Sequence, residues 1–136
     1  MATLEHRSPI FVVDDDPEVI AIVKRVLGHA GWHVEGTTDP RVALEQAIVR
    51  RPCLIFVDLM MPHMDGEELL IALRDRMRDA MPKVVLISAA YSRVEVAKRL
   101  EVDASLPKPF ELGDLRDLAS RFAGEHRDRS SSQPPR

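Results

Sequence analysis

Residues 10–32, "IFVVDDDPEVIAIVKRVLGHAGW", hold one complete strand-to-helix unit. "IFVV" is a short run of β-favouring apolar residues, as in a buried strand. Beyond Asp16 and Pro17, the residues Val19, Ile20, Val23, Val26 and Leu27 recur at helical spacing, which predicts a helix. Asp16 suits the N-cap, where its carboxylate can accept a first-turn N–H, and Pro17 suits the first helical position, where no N–H is needed. The glycines of "GHAGW" then end the helix.

The same unit recurs along the chain, punctuated by ten prolines. "WHVEGT" predicts a second strand, and Asp39-Pro40 opens a helix with Val42, Ala43, Ala47 and Ile48 along one face. Pro52 introduces the strand "CLIFVD", "MPHMDG" is a turn-rich loop, and "EELLIALRDRM" sets Leu69, Leu70 and Leu73 on one side of a third helix. Pro82 precedes the strand "KVVLIS"; "SRVEVAKRL" is a helix, "ASL" a short strand, "PKP" a loop and "ELGDLRDLASRFA" a last helix. Apolar strands alternating with helices predict an α/β fold, a parallel sheet covered on both faces and joined by right-handed crossovers.

The chain has 136 residues and is 45% apolar, which supports one folded domain. Residues 8–123 are expected to form it, with 1–7 as an N-terminal extension and 124–136 as a disordered tail, because "EHRDRSSSQPPR" is polar and rich in serine and proline. No stretch approaches the roughly 20 apolar residues of a membrane helix, and the first ten residues lack a secretion signal, so a cytoplasmic protein is expected. Cys53 is the only cysteine and reads as a small buried apolar residue. The net charge of -3 argues against nucleic-acid binding and favours a protein or an ion as partner.

In an open parallel sheet, ligands bind beyond the carboxyl ends of the strands. Asp14 and Asp15, Asp58, Ser88 and Lys108 fall at the ends of the first, third, fourth and fifth strands. Two carboxylates about 4 Å apart repel by roughly 4 kcal/mol at an effective dielectric near 20, so three in one place demand a counter-charge. Mg²⁺ supplies it: a hard ion with oxygen ligands that uses one or two carboxylates and leaves a position for a phosphate oxygen. A carboxylate beside Mg²⁺ can act as nucleophile to give an aspartyl phosphate. Asp58 is the choice, since it stands alone at its strand tip while Asp14 and Asp15 are adjacent and suited to grip the ion. Lys108 offers a point charge and Ser88 a hydroxyl to the phosphoryl oxygens, and Ala89 leaves room for the donor.

Taken together, "VVDDDP", "VDLMMPHMDG", "VVLISA" and "LPKPF" resemble the receiver domain of bacterial two-component response regulators over roughly residues 8–123. The resemblance implies a flavodoxin-like, doubly wound five-stranded sheet of order 2-1-3-4-5 with five helices. It implies phosphoryl transfer from a sensor histidine kinase or phosphotransfer protein to Asp58, without conventional enzyme turnover. Mg²⁺ would be held by Asp14, Asp15, Asp58 and the backbone carbonyl of Met60, and the Lys108–Pro109 peptide would be cis. Small donors such as acetyl phosphate should also work. A downstream protein effector is expected to read residues 92–122. Homodimerisation stays open, as does whether the chain stands alone or is a fragment of a longer regulator or hybrid kinase. One departure concerns switching: the family often has an aromatic residue where this chain has Ser105. A second concerns lifetime, since Met60 and Ala90, two residues beyond the acceptor and the serine, cannot orient an attacking water.

Plainer roles go to the remaining residues. Asp16 reads as a helix cap, Asp65-Gly66 as a turn before a helix, and His29, His33 and His63 as surface or loop residues. Trp32 is expected to pack near the second strand. Met60, Met61 and Met64 divide between core packing and contact with a docking kinase, and Arg74, Arg76 and Arg78 with Asp75 and Asp79 form a solvated helix face. Two other functions compete: a pseudo-receiver that is never phosphorylated, and a Mg²⁺-dependent phosphohydrolase, which would need a second carboxylate placed as acid/base for the leaving group.

Overall fold

The computed structural model describes residues 8–62, 64–89 and 93–131, with side chains as far as residue 124 at the C-terminal end. In chain order the elements are β1 (Ile10–Val13), α1 (Pro17–His29), β2 (Val34–Thr37), α2 (Pro40–Arg50), β3 (Leu54–Asp58), α3 (Gly66–Met77), a 3-10 turn (Arg78–Ala80), β4 (Lys83–Ser88), α4 (Arg93–Arg99), β5 (Ala104–Pro107) and α5 (Leu112–Ser131). The strands form one sheet of order β2-β1-β3-β4-β5, as the resemblance implied. Every pairing is parallel; Ile10 stands beside both Val34 and Leu54, Leu54 beside Lys83, and Val85 beside Ala104.

Alternation along the strands divides the core into two layers. Ile10, Val12, Leu54, Phe56, Val85 and Ile87 face α1 and α5, where Val23, Leu27, Leu115 and Ala119 meet them. Phe11, Val13, Ile55, Val57, Val84 and Leu86 face α2, α3 and the turn that follows α4, against Ala43, Ala47, Leu69, Leu73 and Leu100. Each fully buried side chain of this size contributes about 1.5–3 kcal/mol, so a sheet buried on both faces favours strands that are apolar at every position.

The caps follow the local sequence. Asp16 accepts the Glu18 N–H at 2.9 Å and Asp39 the Arg41 N–H at 2.9 Å, each with proline at the first helical position. Asp65 and Glu68 form a reciprocal capping box at the start of α3. Gly31 ends the α1 turn with a φ of 96°, a conformation that costs glycine little. On β2, a Cβ at Gly36 would lie 2.7 Å from Ile20 Cγ2 and 2.8 Å from Val12 Cγ1, so glycine is what lets α1 lie close to the sheet.

Two expectations are corrected. Val42 does not share the buried face of α2: it is 39% exposed, and Leu44 packs inward instead. The buried stripe runs through Pro40, Ala43 and Ala47, and a residue one position off that stripe turns about 100° away from it. The tail expected to be disordered over 124–136 starts as helix, since α5 continues to Ser131. No glycine or proline lies between Glu125 and Ser131, so nothing in that stretch breaks a helix already nucleated on the sheet. Residues 132–136 and 1–7 lie outside the described residues.

Candidate functional site

Strand order reverses between β1 and β3, because the chain leaves β1 for β2 on one side and returns as β3 on the other. The carboxyl ends of these two strands deliver Asp14 and Asp58 to one place. Both are buried, at 0% and 3% exposure, while neighbouring Asp15 is exposed. Carboxylate oxygens of Asp14, Asp15 and Asp58 all lie within 4.8 Å of one another.

Short-range hydrogen bonds orient the two buried acids. Asp14 Oδ1 accepts the Asp16 N–H at 2.9 Å, so the turn that caps α1 also fixes Asp14. Asp58 Oδ1 accepts the Met60 N–H at 3.2 Å. The peptide just beyond it is held to the sheet, with Leu59 N–H donating to the Ile87 carbonyl at 2.9 Å.

Lys108 brings the counter-charge. Its N–H donates to the Ser88 carbonyl at 3.2 Å, tying the loop after β5 to the end of β4. Its Nζ lies 2.9 Å from Asp14 Oδ2 and 3.4 Å from Asp58 Oδ2. The Asp14 oxygen it faces is fully buried, so the two charges meet with little water between them. The Lys108–Pro109 peptide is cis, as the resemblance implied. Ser88 is buried at the tip of β4, one residue past the partner of Asp58 in the register, and Ala89 beside it is exposed.

Electrostatics follow from this crowding. Burial, and then the Asp14 charge, push the Asp58 carboxyl from 3.8 up to about 6, against the Met60 N–H and the Lys108 charge, which pull it down. It is still ionised at neutral pH and able to act as a nucleophile. Burial pulls the Lys108 ammonium down, but contact with Asp14 and the charge of Asp58 outweigh it and leave the group raised. Among the described residues one ammonium faces three carboxylates, so the cluster is short of positive charge. Its donors are hard oxygens from three carboxylates, which fits a small divalent cation such as Mg²⁺.

The remaining predicted residues fall as follows. Met60 is 66% exposed two residues beyond Asp58, while Met61 is buried and Met64 packs partly against the core. Asp16 and Asp65 are caps and lie outside the acid cluster. Cys53 is buried, and Trp32 packs against the layer that holds Val34. His33 is exposed and bonds Glu35 at 2.8 Å, and His29 is exposed. Ala90 and His63 lie outside the described residues.

Sequence reasoning did not foresee two contacts around the site. Ser105, where the family often has a ring, accepts from Arg93 Nε at 3.3 Å, which joins the first residue of α4 to β5. Gly66 lies against the end of β3 itself, as described below. Neither carries a motif of its own, although "DG" at 65–66 already marked a tight turn.

The pattern of the response regulator receiver domain family matches residues 10–120. Response regulator MprA of Mycolicibacterium vanbaalenii is 38% identical over 108 residues, covering 78% of this chain and 46% of that protein. The chain thus spans about half the length of the curated relatives it matches. The receiver domain of a response regulator from Bermanella marisrubri aligns with a TM-score of 0.77 and 29% identity, over 86% of this chain and 98% of its own. The receiver domain of sensor histidine kinase PA1611 from Pseudomonas aeruginosa, which has magnesium coordinated in its active-site cleft, shares the fold with a TM-score of 0.76 at 22% identity, over 87% of this chain and 98% of its own.

Proposed function

The chain belongs to the response regulator receiver domain family, and from that premise we propose that it accepts a phosphoryl group on Asp58 and passes the signal to a protein partner. One observation carries the proposal: Asp14, Asp15 and Asp58 converge within 4.8 Å, while Lys108, the one ammonium among the described residues to do so, reaches both buried acids. Asp14, Asp15, Asp58 and the carbonyl of Met60 would hold Mg²⁺. Bound there, the ion would neutralise the acids and shield the incoming phosphoryl oxygens.

The donor is a phosphohistidine on a sensor kinase or phosphotransfer protein, or a small acyl phosphate. A bond forms between an Asp58 carboxylate oxygen and phosphorus as the P–N or P–O bond of the donor breaks, and its electron pair leaves on the imidazole or the acyl oxygen. Met60 N–H keeps Oδ1 of Asp58 oriented, Lys108 attracts the phosphoryl oxygens, and the Ser88 hydroxyl donates to one of them.

The readout face is residues 92–122. In its support, α4 alone among the described α-helices contributes no buried residue, and polar ties hold its two ends: Arg93 to Ser105, and Arg99 to Glu67 on α3 at 2.8 and 3.0 Å. A helix held this way can shift at low cost when charge is added nearby. The partner is a protein rather than nucleic acid or membrane, in keeping with the net charge of -3. No described helix is long and apolar enough to cross a membrane. A cytoplasmic location is proposed on the same footing as the kinase.

The test is phosphorylation with acetyl phosphate, which is expected to require Mg²⁺. After removal of the donor, the phosphorylated form is expected to decay over minutes to hours, because Met60 presents only an exposed thioether where a polar side chain would orient water. A half-life of seconds in a phosphate-release assay counts against this account of the lifetime.

A further inference from the structure

A Cβ at Gly66 would lie 2.5 Å from the carbonyl oxygen of Asp58 and 2.9 Å from Leu59 Cα. Both are backbone atoms at the tip of the buried central strand, so no side-chain rotation can relieve the overlap. Gly36, the other glycine in close quarters, comes nearest to methyl groups of Ile20 and Val12 rather than to backbone, and Gly28, Gly31, Gly113 and Gly124 meet nothing within 4 Å. Gly66 is itself buried and donates its N–H to the Leu59 carbonyl at 3.0 Å. The first residue of α3 is thus pressed onto the peptide that leads from Asp58 to Met60.

α3 cannot simply retreat to make room. Leu69, Leu70 and Leu73 are fully buried beneath it, so the core sets where the helix lies on the sheet. We propose that Gly66 is a positioning residue for the acceptor: its missing side chain sets how closely α3 meets the end of β3, and thereby where the Asp58 carboxylate and the Met60 peptide stand relative to Asp14 and Asp15. This rests on the acceptor reading given above. Any group at Gly66 larger than hydrogen must displace the 58–60 backbone, and with it the oxygens offered to Mg²⁺.

Gly66→Ala tests this, with Asp65→Ala as control, since the control loses the cap of the same helix and keeps the close approach. Measured by titration calorimetry, Mg²⁺ affinity should fall about tenfold to a hundredfold in Gly66→Ala, the range seen when groups supporting metal ligands are removed. Asp65→Ala should stay within about twofold of the parent, because Gly66 and the buried leucines of α3 keep their places, even if loss of the cap lowers its melting temperature. A Gly66→Ala protein that binds Mg²⁺ like the parent overturns the proposal, and so does an equal loss in Asp65→Ala.

The unaltered chain provides a second readout should Gly66→Ala not fold. Coupling between sites is reciprocal, so Mg²⁺ at ten times its dissociation constant should slow amide exchange at Gly66 about tenfold. Exchange at Gly66 unchanged by Mg²⁺ overturns the proposal. If the unaltered chain binds no Mg²⁺ at all, the acceptor reading fails and this one fails with it; loss confined to the Gly66 measurements leaves the acceptor reading standing.

Discussion

Replacing Lys108 with methionine is expected to slow phosphorylation of Asp58 about a hundredfold to a thousandfold, the usual cost of deleting one positioned donor to developing charge. The size follows from geometry: Lys108 Nζ is 2.9 Å from Asp14 and 3.4 Å from Asp58, and no other ammonium or guanidinium is recorded against these acids among the described residues. Without Mg²⁺ the variant should also lose about 2 kcal/mol of folding stability. That lies below the full cost of breaking a buried pair, because the ammonium is partly solvated and Asp58 can take up a proton. Mg²⁺ should restore the stability, since an ion can replace the lost charge, and should leave the rate low, since it cannot replace an ammonium aimed at the phosphoryl group. Denaturant titrations with and without Mg²⁺, beside transfer rates from acetyl phosphate, separate the two effects. A variant that transfers at the parental rate contradicts the role given to Lys108.

The second large effect concerns Asp58 in the absence of metal. Its carboxyl is raised from 3.8 to about 6, first by burial and then by Asp14. Between those values the folded protein binds more protons than the unfolded chain, so stability falls as pH rises through that window. The cost is absent below about pH 4, complete above about pH 6, and amounts to roughly 3 kcal/mol. Asp58→Asn removes the charge and keeps the shape. In EDTA at neutral pH it should be more stable than the parent by about 2–3 kcal/mol, with the two converging near pH 4. Saturating Mg²⁺ should shrink or reverse the ranking, because it stabilises the parent by mass action. An asparagine variant less stable than the parent in EDTA at neutral pH would show that the carboxylate is already compensated.

Much of this architecture was legible because each unit repeats one physical rule. A buried parallel strand needs apolar residues on both faces, which "IFVV", "CLIFV" and "VVLI" supply, and each of the first two helices opens on Asp-Pro. The site was legible because polar residues stand where those runs stop: Asp14, Asp58 and Ser88 are the first such residues after four or five apolar ones. The misread positions are those that depend on distance between elements. Val42 and Leu44 have similar apolarity, so only the turn of α2 against the sheet decides which is buried. Gly66 reads locally as part of a turn, and the overlap that forbids a side chain there arises with the backbone of Asp58 and Leu59, which the loop between β3 and α3 folds back against it. Ser105 reads as a missing ring, whereas its partner Arg93 comes from a different element. The extension of α5 to Ser131 was hidden by composition, because polarity marks a solvated segment without distinguishing coil from helix.

The central claim is that Asp58, gathered with Asp14 and Asp15 and faced by Lys108, is the phosphoryl acceptor. Intact-mass spectrometry after incubation with acetyl phosphate and Mg²⁺ tests it most directly. A gain of about 80 Da, the mass of one phosphoryl group, is expected in the parent and in neither Asp58→Asn nor the parent in EDTA. A mass that does not change with a competent donor, or that rises equally in Asp58→Asn, contradicts it.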